Sequence, residues 1–121
     1  MTGSVRHARG MDTDDLTLSP ERRDLLESLR VHRGFLLQTV DGLTDEQAAA
    51  RPTASALCLG GIVKHVAATE ATWARFVVDG PEAFGPWPPP PETFATWGDQ
   101  FTMLPGETLA SIVARSREVA A

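Results

Sequence analysis

Apolar residues recur at helical spacing along most of this chain. Between Ser19 and Gly42, Leu25, Leu29, Leu36 and Val40 fall four or seven positions apart, and Leu26 and Leu37 widen the stripe. Ser19-Pro20-Glu21 is a helix start: serine accepts a backbone N–H, proline suits the first turn, and the acid meets the positive end of the dipole. Gly42 after Asp41 is a stop. Thr44-Asp45-Glu46-Gln47 reads as a capping box with Leu43 as its staple, predicting a short helix that Arg51-Pro52 ends. A second long helix is predicted from between Ser55 and Leu59 to about Val78. Its expected apolar face is Leu59, Ile62, Val63, Val66, Trp73 and Val77, and Asp79-Gly80-Pro81 closes it. A third begins near Glu107, with Leu109, Ile112, Val113 and Val119 on one side.

Residues 81–106 break this rhythm. Pro86 and Pro88 to Pro91 rule out both helix and central strand. Phe84, Trp87, Phe94, Trp97 and Phe101 make the segment too apolar for a free linker. The expectation is a long loop folded over the helices with its aromatics tucked in. A polyproline ligand for a groove-type domain is the other reading, and no basic anchor flanks the run. No internal repeat or convincing strand is visible. The fold class expected is all-α, a small bundle of about three long helices, antiparallel neighbours joined by loops.

At 121 residues the chain has room for one domain, expected over 19–121 behind a flexible tail, 1–18, in which Met11 is a second candidate start. The formal charge of −5, with arginines interleaved among acids, argues against nucleic acid as a partner. No apolar stretch is long enough to span a bilayer, so no membrane is expected. The N-terminal residues lack the apolar core of a secretory signal, so a cytoplasmic location is expected.

Four residues are candidates for chemistry. His65 falls at the edge of the second long helix's expected stripe and Glu70 inside it, while His32 edges the stripe of the first. Two imidazoles on the margins of neighbouring helices can converge on a metal, and a lone histidine there can equally be a satisfied boundary residue. Glu70 needs a partner if buried, and Arg33 is one candidate. Cys58, the only cysteine, lies near a helix start, where a thiol can be activated; a small apolar filler is the alternative. Gly60-Gly61 alone makes no phosphate-binding loop.

Taken together, "HRGFLL", "DGLTDEQAAARP" and "LGGIVKHVAATEATW" resemble the first half of a DinB-like domain, in an actinobacterial branch near the mycothiol-dependent maleylpyruvate isomerases. "LPGETLASIVARSREVAA" is similar to the start of that family's third helix, and the resemblance runs over about residues 20–121. It implies a four-helix bundle with a long crossover and a divalent metal, zinc or nickel, held by three histidines. His65 matches the first of these; the other two belong to a fourth helix, before which this sequence ends. His32 matches a histidine common in this branch outside the ligand set, and His32, Glu70 and Cys58 are candidates to line the site. A thiol transferase or isomerase using mycothiol on a small molecule is one expectation. A non-catalytic module is the other, with an open bundle face covered by a second copy in a homodimer or by a partner helix.

Overall fold

The computed structural model describes residues 17–121, and among them the architecture is all-α with three long helices and no strand. All of the expected tail except Thr17 and Leu18 lies outside the described residues. The chain divides into two compact units, Met1–Phe35 and Leu36–Ala121. Helix α1 (Pro20–Gln38) starts as its sequence signals require, the Arg22 N–H donating to the Ser19 hydroxyl at 3.3 Å.

In the second unit, α2 (Asp45–Ala49) carries the expected capping box. The Thr44 hydroxyl accepts from the Gln47 N–H at 3.1 Å, and the Gln47 amide oxygen accepts from the Thr44 N–H at 3.0 Å. Helix α3 (Leu59–Asp79) packs against α5 (Leu109–Ala120), and α2 packs on α3. The core between them is small: Val40, Ala48, Val63, Leu109 and Ile112, flanked by Leu36, Leu37, Leu43, Met103 and Val113. Thr108 and Ser111 form a second capping box, and the Asp45 carboxylate accepts from the Leu109 N–H at 2.8 Å. That bond satisfies an orphan donor of α5 and fastens it to α2.

Two expectations need correction. Pro91 did not prevent a helix. Residues 81–106 contain α4 (Pro91–Ala95) between 3₁₀ turns at Gly80–Phe84 and Trp97–Phe101. Proline is tolerated in a first turn, where its missing N–H has no partner to lose. The aromatics of this stretch are also mostly exposed, Trp87 at 90%, and Phe101 is the one of the five that is half-buried.

The second correction concerns the inward face of α3. Its buried residues are Gly60, Gly61, Val63 and Ala67, whereas Leu59, Val66, Trp73 and Val77 are exposed. Small residues won because neighbours come too close for a side chain: backbone at Gly61, and the Met103 side chain with a carbonyl behind it at Gly60. A Cβ on Gly61 would overlap the Phe101 carbonyl oxygen, and one on Gly60 would meet the Met103 sulfur and, at 3.3 Å, the Ala48 carbonyl. Closeness of this kind is open only to glycine.

One turn further along α3, Lys64 holds the same segment. Its Nζ donates to the carbonyls of Asp99 (2.9 Å) and Thr102 (3.2 Å) and to the Glu107 carboxylate (2.7 Å). The same Glu107 oxygen accepts from the Leu104 N–H at 2.7 Å. The Lys64 bond holds the Glu107 carboxyl below its ordinary value near 4.5; burial opposes this and the Leu104 N–H assists it.

Gly61→Ala is expected to cost roughly 1–3 kcal/mol despite alanine's better helix propensity, because backbone must move. Gly60→Ala should cost less, since Met103 can swing aside; equal denaturation midpoints for the two variants would refute the close-approach argument. Lys64→Met should cost on the order of 1–2 kcal/mol at neutral pH. Because the folded carboxyl titrates below the unfolded one, the Glu107 share of that contribution is complete above about pH 4.5 and is lost as pH falls through the lower, folded value, while the two carbonyl bonds remain. Denaturation of wild type and variant at neutral and acid pH should therefore show the difference shrinking in acid.

Candidate functional site

The strip of α3 that faces residues 97–102 reads Gly61, Lys64, His65, Ala68, Thr72, which is helical i, i+3, i+4, i+7, i+11 spacing. Gly61 lets the segment in and Lys64 grips its carbonyls; His65 meets its side chains. The His65 ring is half-buried and lies tilted against Phe101, with centroids 4.4 Å apart and planes at 33°. Its Nδ1 is 3.1 Å from the Gln100 amide oxygen, and the Gln100 amide nitrogen donates to the Trp97 carbonyl at 3.1 Å.

Beyond this contact an open pocket of about 320 Å³ follows α3. His65, Ala68, Thr69, Thr72 and Trp73 form its floor, Ala83 and Phe84 one wall, Trp97 and Gln100 another. The Thr72 hydroxyl is turned back onto the Ala68 carbonyl at 3.0 Å. Trp73 and Phe84 also pack with Phe76 in a mutual cluster, with centroid distances of 5.1 to 5.5 Å. Among the described residues, His65 is the only titratable one in the lining. The pocket therefore suits an uncharged, largely apolar molecule presented to one imidazole.

The other candidates sit apart from this pocket or belong to the first unit. Glu70 is half-buried on α3, five positions and about 140° around the helix from His65. Cys58 is the N-cap of α3, only 3% exposed, its sulfur accepting from the Gly61 N–H at 3.3 Å. It serves the helix end in place of the usual serine or threonine. His32, in the first unit, donates from Nδ1 to the Ser28 carbonyl at 2.7 Å and stands edge-on to Phe35, with centroids 6.0 Å apart. Gln100 escaped the sequence reading, since an amide 35 positions from its partner leaves no local signal. The paired glycines were the available clue, for two in a helix's first turns ask what approaches so closely.

A divalent metal asks for more than this donor set. Zinc takes three or four protein ligands, and among the described residues no three His, Cys, Asp or Glu side chains stand together as a metal-holding group. The described residues do not by themselves fit a metal centre. No described helix is long and apolar enough to cross a membrane.

The family model described as mycothiol-S-transferase matches residues 24–121, most of the chain. No curated protein and no solved structure matches it.

The burial of Cys58 predicts slow alkylation. Iodoacetamide should modify the native protein at least about tenfold more slowly than the denatured chain; equal rates would mean that the N-cap sulfur is open to solvent.

Proposed function

The chain belongs to the mycothiol-S-transferase family, and from that premise we propose that it joins a thiol of the mycothiol type to an uncharged, apolar electrophile in the pocket beside His65. The observation that carries this reading is the single imidazole that the described residues place in an otherwise uncharged, aromatic-walled pocket. A thiol is a weak nucleophile until it loses its proton, at an ordinary value near 8.5. His65 accepts that proton through the ring nitrogen that Gln100 leaves open. The sulfur electron pair forms a C–S bond at the electrophilic carbon, the bond to the leaving group breaks, and the leaving group departs with its pair. The imidazolium then releases its proton to water. Trp73, Phe84 and Trp97 hold the electrophile's apolar body.

The family resemblance favours a second reading of the same residue. There His65 gives one donor to zinc or nickel, and the remaining donors come from outside the described residues. Elemental analysis separates the two: stoichiometric metal that disappears in His65→Ala supports the second reading, and metal-free protein with full activity supports the first.

His65→Ala is expected to lower kcat/KM by about 10²–10⁴-fold with mycothiol and chlorodinitrobenzene, the loss typical of a removed general base. Helical circular dichroism should be unchanged. An unaltered rate would remove His65 from the reaction.

A further inference from the structure

We propose that Gln100 is the positioning residue of this site, holding His65 in the tautomer that carries its proton on Nδ1 and presents the Nε2 lone pair. This rests on the reading that His65 serves the pocket, and it adds which nitrogen acts and what fixes it. The argument uses the polarity of one amide. Gln100 donates its NH₂ to the Trp97 carbonyl at 3.1 Å, and a carbonyl can only accept. The amide is thereby oriented, and its oxygen is the atom 3.1 Å from His65 Nδ1. An amide oxygen also only accepts, so Nδ1 must be the donor. In a neutral imidazole the other nitrogen then bears the lone pair. Among the described residues His65 Nε2 makes no hydrogen bond.

The ring is fixed in its plane as well as in its protonation. Phe101 lies against it at 4.4 Å, and Gln100 and Phe101 are flanked by the two carbonyls that Lys64 grips. Trp97, which orients the amide, also lines the pocket. One short segment therefore supplies a pocket wall, the orienting carbonyl, the acceptor and the stacking ring. A lone pair on Nε2 is what either a proton acceptor or a ligating imidazole needs, and an outer hydrogen bond to Nδ1 is the usual means of directing it there.

The test is the tautomer itself, read from the ring-nitrogen NMR shifts of the full chain about two pH units above the ordinary imidazole value near 6.5. The His65 signals are identified by their absence in His65→Gln. Wild type should show the Nδ1–H pattern. Gln100→Leu, which removes the acceptor, should lose that preference, and Gln100→Glu, which keeps an acceptor toward Nδ1, should retain it. Unchanged helical circular dichroism and an unchanged denaturation midpoint report that each variant is folded. In the mycothiol assay Gln100→Leu should lose about 10–100-fold in kcat/KM, the usual effect of removing an outer partner, with Gln100→Glu restoring most of it. An Nε2–H pattern in wild type, or an Nδ1–H pattern that survives Gln100→Leu, would overturn the proposal. If the tautomer behaves as expected while His65→Ala leaves the rate unaltered, the catalytic reading fails and the structural assignment stands.

Discussion

The carbonyl of Phe101 occupies the place where any residue but glycine would carry its Cβ at position 61. This contact between a helix surface and a backbone is the constraint from which the site follows. Without it the segment 97–102 could not come close enough for the Lys64 ammonium to reach two of its carbonyls at once. Nor would Gln100 and Phe101 lie within reach of the imidazole on the next position. Three neighbouring positions of one helix, 61, 64 and 65, thus do three jobs by three kinds of force: steric permission, charge-assisted hydrogen bonding, and side-chain orientation.

The same constraint explains why α3 turns a small-residue face inward. Large apolar side chains gain most from burial, and a face bearing Leu59, Val66 and Trp73 would be preferred if area alone decided. Backbone-to-backbone approach recovers close packing by another route, since dispersion rises steeply as gaps close, and Lys64 satisfies the nearby Asp99 and Thr102 carbonyls. The cost is that this part of the fold depends on a few polar bonds as well as on its small core.

How much of this was legible in the sequence depends on the range of each interaction. The capping box at Thr44–Gln47, the Ser19 start and the Gly80-Pro81 end of α3 were all readable, because each is written within four residues. The all-α class followed from the same periodicities. The inward face of α3 was not readable from side-chain size, because its partner is a backbone some 40 positions away whose path no local pattern encodes. Pro91 was misjudged for a related reason: a proline run forbids helix interiors but suits a first turn, and only the fold decides which applies. His65 could be singled out as a polar residue beside an apolar stripe. Its partner Gln100 could not, and the partner is what gives the ring a definite chemical state.

One of the pocket's two walls is independent of the positioning device. Ala83 and Phe84 belong to a 3₁₀ turn that the Gly61 and Lys64 contacts do not touch. Evolution can therefore redraw the outline of what the pocket admits through that turn while the machinery beneath stays in register. Position 61 has no such latitude. A lineage in which the pocket's outline changes would be expected to drift freely in the turn and to return to glycine at 61, generation after generation.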